Sequence, residues 1–341
     1  MIASSFLTLA CLTAALAGGA VLSVLLIVVL KPLLVRYALA RPNARSSHKV
    51  PTPQGGGIAV LAACLAAAGA VLLLFTETYP FAVVAAAAAG LAIIGAVDDI
   101  RPLPAVPRLV LQTVAVAIVV LASHGRVLPD AIPLAVEQAI LVFGGVWFVN
   151  LVNFMDGLDW ITVAEMVPVT AFIAALWFIH PETTPVGIVA AALCGALLGF
   201  APFNKPVARL FLGDVGSLPI GLLVGWMLLE LAGTGALAAA LLLPLYYLMD
   251  ATITLLRRLA RREKVWEAHR SHFYQKATDN GFSALQVSAH VFGLNLALAG
   301  LAAMTLVWSS GAVQAAALAL GAGLVGLLLK RFSQSRPEVA R

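Results

Sequence analysis

Asn150-Leu151-Val152-Asn153-Phe154-Met155-Asp156-Gly157-Leu158-Asp159 closes an apolar run that begins near residue 133. The run is long enough to cross a bilayer, at roughly 20 apolar residues per crossing. Four amides and carboxylates then follow at three-residue intervals, and lipid solubility asks for none of them. An ideal helix turns about 300° over each three-residue step, so Asn150 and Asp159 would face opposite ways on one continuous helix. The stretch therefore predicts a helix that breaks near Gly157, with Asn150 and Asn153 on the helix and Asp156 and Asp159 flanking the break. Irregular backbone at membrane depth is tolerated where it lines a protein cavity. The simpler alternative is that the amides tie helices together.

Outward from that stretch the chain keeps the same character. It has 341 residues, 62% hydrophobic and 11% charged, with a mean hydropathy of +1.00. Soluble domains carry about 25% charge, so the composition is that of an integral membrane protein. Apolar runs between charges and turn residues predict an all-α, polytopic bundle of about eleven transmembrane helices. They lie near 7–30, 57–76, 81–97, 106–123, 133–152, 162–180, 185–201, 216–232, 236–256, 283–307 and 311–329. Most connections are short, which makes neighbouring helices antiparallel. The whole of 1–341 reads as one transmembrane catalytic domain, and its largest cytoplasmic loop is 257–281. The N-terminus lacks the positive charge that opens a secretory signal, and its apolar run exceeds a signal core, so it reads as a retained first span.

Of 21 Lys and Arg, 20 fall in alternate connections: Lys31 to Lys49, Arg101 and Arg108, Lys205 and Arg209, Arg257 to Lys276, and Lys330 onward. Only Arg126 is on the other side. The bias places the N-terminus outside and the C-terminus in the cytoplasm, which makes the membrane expected for this chain the cell's inner (plasma) membrane once the resemblance given below is added. It also places five polar clusters at the cytoplasmic ends of helices. Cys11, Cys64 and Cys194 lie singly in apolar runs and read as packing residues.

Each cluster has a plain reading and a chemical one. Asp98-Asp99 closes the third span, where acids oppose the helix dipole, so a functional use outweighs a solvated end. Gly213-Asp214-Val215-Gly216-Ser217 opens the eighth span; Asp214 is either a cap or the holder of a hard cation beside a phosphate. Ser46-Ser47-His48-Lys49 runs on to Gly55-Gly56-Gly57, which suits close approach to an anion or a flexible start to the second span. His269-Arg270-Ser271-His272 puts two histidines on one side of a helical turn, able to grip a pyrophosphate. A zinc pair is the alternative there, disfavoured because no Cys is near. Asp250, inside the ninth span, is either functional or a partner for Arg257 two turns on. Acids and amides for a divalent cation, with basic groups for phosphates at a lipid boundary, suggest phosphoryl transfer between a lipid and a soluble anion.

In order along the chain these motifs resemble the polyprenyl-phosphate N-acetylhexosamine-1-phosphate transferases, of the glycosyltransferase family 4 type. These start O-antigen, teichoic acid and related glycans, and the wider superfamily includes the translocase of peptidoglycan synthesis. The resemblance implies transfer of a sugar-1-phosphate from a UDP-N-acetylhexosamine to undecaprenyl phosphate at a cytoplasmic active site, with release of UMP and a need for Mg²⁺, with Mn²⁺ as a substitute. Asp98 and Asp99 resemble the family's acidic pair, and Asp156 and Asp159 match the acidic pair of the central motif; all four are taken as catalytic. Asn153 and Asp214 resemble the positions that hold the metal. Lys49 and Arg108 resemble the pyrophosphate-binding cations, and His269 and His272 match the outer histidines of the His-x-His-His loop. Asn150 and Arg270 complete the substrate-binding set. Ser271 stands where that loop usually has histidine, and Trp160 where the central motif often has glycine. The loop resembles the O-antigen-initiating branch more than the peptidoglycan one. The expected partners are the two substrates and membrane lipids, with no nucleic acid and a homodimer allowed. A secondary transporter is the rival from another class, although no inverted repeat is visible and the polar residues gather at one face.

Overall fold

The computed structural model describes residues 2–40, 51–74, 79–123, 125–179, 184–264 and 269–335. His48 and Lys49 lie outside them. Thirteen helices are described. In chain order these are α1 (Ile2–Tyr37), α2 (Gly56–Leu72), α3 (Tyr79–Ile100), α4 (Ala105–Ala122), α5 (Leu134–Met155), α6 (Ile161–Ile179) and α7 (Thr184–Phe200), followed by α8 (Asp214–Gly233), α9 (Leu237–Leu242), α10 (Leu245–Ala260), α11 (Phe273–Asp279), α12 (Ala284–Val307) and α13 (Gly311–Phe332). Eight of them, α1, α3 to α6, α8, α12 and α13, hold a segment long and apolar enough to cross a membrane. The segments expected as the other three spans hold shorter helices: α2 and α7 have 17 residues each, and the ninth apolar run is divided into α9 and α10 at Pro244.

α8 is the most buried of the eight, and glycine explains how its neighbours come so close. A Cβ on Gly57 of α2 would lie 2.2 Å from the Gly216 Cα, and one on Gly95 of α3 would lie 2.3 Å from the Asp214 carbonyl oxygen. Lipid offers no hydrophobic drive between helices, so backbone-to-backbone packing of this kind holds them. The glycines after Lys49 therefore serve packing at Gly57, and Gly55 turns the chain at φ +106°. Two-residue strands β1 (Leu39–Ala40) and β2 (Thr52–Pro53) pair antiparallel, and Phe211 N donates to the Pro53 carbonyl at 2.8 Å, tying this segment to the approach to α8.

A helix start leaves backbone N–H groups without partners, which is costly away from water. Three acids from other elements meet that need. Asp99, ending α3, accepts from Asp214 N (3.0 Å) and Val215 N (3.1 Å) at the start of α8. Glu165 of α6 accepts from Tyr247 N (3.3 Å) in the first turn of α10, beyond the Pro244 break. Asp250 of α10 accepts from Phe273 N (3.0 Å) and Tyr274 N (3.1 Å) in the first turn of α11. Asp250 thus pairs with α11 and not with Arg257, whose guanidinium lies 4.7 Å from the Phe273 ring centroid.

Candidate active site

The end of α3, the start of α4, the end of α5, the start of α8 and the segment leading into α11 meet around a cavity of about 2100 Å³. Its polar end holds Asp98, Asp99, Arg108, Asn150, Asn153, Asp156, Asp214, His269 and His272. From there it continues as a groove between α4 and α5, past Leu109, Val142, Phe143 and Val146 to Leu121 near the far end of α4.

The expected break is present. α5 stops at Met155, Asp156 follows it, and α6 begins at Ile161. On the helical side, Asn153 Nδ2 donates to Asp214 Oδ1 (2.7 Å) and to Ser217 Oγ (2.9 Å), which brings the two expected metal-site residues together. Asn150 Nδ2 donates to Gln112 Oε1 and to the Val146 carbonyl, each at 2.8 Å. Gln112 was not singled out from the sequence. A polar residue inside an apolar run, four after Arg108, was the available signal.

The acidic pair is divided between two tasks. Asp98 accepts from Arg108 Nη1 (2.6 Å) and Leu103 N (2.6 Å), and its carboxylate also meets that of Asp214. Asp99 accepts from Gln54 Nε2 in addition to the two α8 amides, so both of its oxygens are engaged. On these contacts Asp99 orients α8 and Asp98 is the member turned toward a cation.

Beyond the break the two acids also part. Asp156 lines the cavity and accepts from Thr162 Oγ1; burial, with a contribution from the nearby Asp99 charge, pushes its carboxyl up to about 7. Asp159 is 3% exposed and does not line the cavity; its Oδ2 accepts from Ala208 N (3.0 Å). Through that bond Asp159, grouped with the catalytic acids on its motif, braces the segment between α7 and α8. Arg270 is also turned away. It pairs with Asp279 Oδ1 (3.0 Å) and Thr278 Oγ1 (3.2 Å) and is absent from the cavity lining. Trp160 likewise lies outside the lining. Its indole N–H donates to the Ala201 carbonyl (2.6 Å), and its backbone is left-handed at φ +63°, which gives a backbone reason for glycine at such a position.

A folded-state pKa raised to about 7 means that the folded protein binds more protons than the unfolded chain between the ordinary carboxylate range, near 4, and 7. Folding stability is then highest below that window and falls as pH rises through it. Replacing Asp156 with Asn should flatten the fall, with the melting midpoint at pH 8 above that of the parent by roughly a few °C. Parallel melting curves of the two proteins from pH 4 to 8 would refute the assignment.

Of the remaining expected residues, His269 Nδ1 lies 2.8 Å from Ser271 Oγ, and its ring centroid lies 4.8 Å from that of His272. Tyr274 OH donates to the Phe154 carbonyl (3.1 Å), and a Cβ on Gly157 would fall 2.2 Å from that hydroxyl, so the break and the histidine segment fit directly together.

No group of three or more His, Cys, Asp or Glu among the described residues forms a ready metal cage. Mg²⁺ seldom uses one: it takes one or two carboxylates and completes its shell with water and substrate phosphates. Asp98 and Asp214, two carboxylates in contact beside the Asn153 amide, fit an ion held in that way.

A helical membrane bundle with acids, amides and a cation at one end of an apolar groove defines a membrane-embedded enzyme whose chemistry concerns phosphates. Comparison narrows the class: residues 81–232 match the model of glycosyl transferase family 4. Among its relatives is a decaprenyl-phosphate N-acetylglucosaminephosphotransferase of Mycobacterium leprae, 27% identical over 291 residues, covering 73% of this chain and 72% of the relative. A protein of the same name from Mycolicibacterium smegmatis is 29% identical over 225 residues; the match covers 57% of this chain and about half, 53%, of that relative. A phospho-N-acetylmuramoyl-pentapeptide-transferase of Staphylococcus aureus is 29% identical over 227 residues, 59% of this chain and 70% of the relative.

Proposed function

We propose that this protein transfers an N-acetylhexosamine-1-phosphate from a UDP-sugar to undecaprenyl phosphate at the cytoplasmic face of the inner membrane, as one eleven-span catalytic domain with its C-terminus in the cytoplasm. The observation that carries the reading is the continuity of the acidic end of the cavity with the apolar groove between α4 and α5. A polyprenyl chain needs a long apolar surface and its phosphate needs cations and donors; here Arg108 and Asp98 stand where the groove becomes polar.

In the reaction, an oxygen of the lipid phosphate attacks the β-phosphorus of the donor, the one bonded to the sugar. The bond from that phosphorus to the bridging oxygen breaks, and UMP leaves with the oxygen. Arg108, with Lys49, binds phosphate charge, and Asp98 orients the acceptor through Arg108. Asp156 is placed to take the acceptor's proton, since a carboxyl near 7 suits proton transfer at neutral pH. Asp99 keeps the start of α8 in register. Asp214 and Asp98, beside the Asn153 amide, would hold Mg²⁺, which when bound offsets charge on the phosphates. The His269 and His272 side of the cavity faces the nucleotide sugar.

The His-Arg-Ser-His segment favours a simple amino-sugar donor and an O-antigen type of glycan over the muramoyl-pentapeptide donor. Purified protein given undecaprenyl phosphate should release UMP from UDP-GlcNAc or UDP-GalNAc and much less from UDP-MurNAc-pentapeptide. Preference for the pentapeptide donor would move the protein to the peptidoglycan branch. No UMP from any of the three would overturn the proposal and return the transporter reading.

A further inference from the structure

We propose that Asp250 is a positioning residue for the histidine wall of the cavity, acting through the first turn of α11. This rests on the reading of the cavity as the transferase site. Asp250 is fully buried and its two oxygens gather five hydrogen bonds. Oδ1 meets Phe273 N (3.0 Å), Thr254 Oγ1 (3.3 Å) and His272 Nδ1 (3.3 Å), while Oδ2 meets Tyr274 N (3.1 Å) and Tyr246 OH (3.2 Å). Thr254 and Tyr246 are one turn either side on α10 and fix the carboxylate itself. The other three bonds fix what lies above it: the imidazole that ends the loop and the first two amides of α11.

A histidine with Nδ1 held by a carboxylate has its ring plane and its Nε2 direction set. The His272 ring then supports its neighbours. The His269 ring lies against it with centroids 4.8 Å apart, and the Tyr274 ring stacks with it at 5.8 Å. Both histidines line the cavity, whereas Asp250 does not. Asp250 thus touches no substrate, and its effect must pass through His272.

The test is a double-mutant cycle on the full-length protein in detergent, with UDP-GlcNAc varied at saturating undecaprenyl phosphate. Asp250→Asn should raise KM for UDP-GlcNAc roughly tenfold, with kcat changed much less. His272→Gln should raise KM comparably, and the double variant should be no worse than the worse single one. KM effects that multiply would overturn the proposal, because Asp250 would then act independently of the histidine. Thr254→Val, which removes another bond to the same carboxylate, serves as the structural comparator and should leave KM within about twofold. If Asp250→Asn does not give folded protein, Asp250→Glu keeps the charge and shifts the carboxylate by one methylene; an unchanged KM there would count against the proposal. A second arm needs no activity. Modification of His269 and His272 by diethyl pyrocarbonate, mapped by mass spectrometry, should be several-fold faster in Asp250→Asn than in the parent. Equal rates would overturn the positioning role even if the parent released no UMP, an outcome that would separately retire the transferase reading.

Discussion

Asp214→Asn should abolish transfer, lowering UMP release by roughly 10³-fold, while the protein should still elute as one folded species. The expectation follows from what the side chain touches. Asp214 opens α8, its Oδ1 is held by Asn153 Nδ2 at 2.7 Å, and its carboxylate meets that of Asp98. Two carboxylates in contact repel unless a cation or a proton lies between them. The amide keeps the size and the bond to α5 can be remade, but half of the cation-holding charge is gone. The helix start does not depend on this side chain, because Asp99 accepts from its backbone amides. UMP release from the variant at parental rates in membranes containing equal protein would refute the metal assignment.

The second large effect is on folding. Gly57→Ala should cost about 3 kcal/mol or more and leave little monodisperse protein, since the new methyl would stand 2.2 Å from the Gly216 Cα and 2.4 Å from its amide nitrogen. Both neighbouring atoms are backbone, so no side chain can turn aside. α2 would have to move off α8, taking with it the Gly56 and Gly57 amides that donate to Phe211 and Leu212 (2.9 and 2.8 Å). Gly90→Ala in α3 is the control: nothing lies within 4 Å of its added Cβ, and a helical alanine is favoured over glycine. Equal melting of the Gly57→Ala variant and its parent, measured by fluorescence in detergent, would show that the α2–α8 crossing is looser than described.

The membrane bundle was legible in the sequence because lipid imposes a length on apolar runs, and every expected run contains a helix. The break after Met155 was legible for a similar reason, since three-residue polar spacing does not fit one helical face. What the runs could not reveal were partners distant in the chain. Asp99 and Asp250 both sit near helix ends among apolar residues, and nothing local indicates that one caps a helix 115 residues on and the other a helix 23 residues on. Arg257 looked like Asp250's partner from helical spacing alone, but a buried carboxylate is better served by five short-range donors. Asp159 and Arg270 carry the same chemistry as their neighbours Asp156 and His269. Their partners separate them: Asp159 is taken up by the Ala208 amide and Arg270 by Asp279, while Asp156 and His269 line the cavity. The glycine run after Gln54 suits an anion or a flexible start to the second span; the structure packs Gly56 against Phe200 and Leu210 and Gly57 against the Gly216 backbone of α8.

The most direct measurement follows the phosphorus. With UDP-GlcNAc labelled at its β-phosphate and undecaprenyl phosphate as acceptor, the purified protein should carry the label into the lipid fraction and release unlabelled UMP in equal amount. Label that stays in the aqueous phase with intact donor, while the protein is folded and both substrates are saturating, would contradict the account.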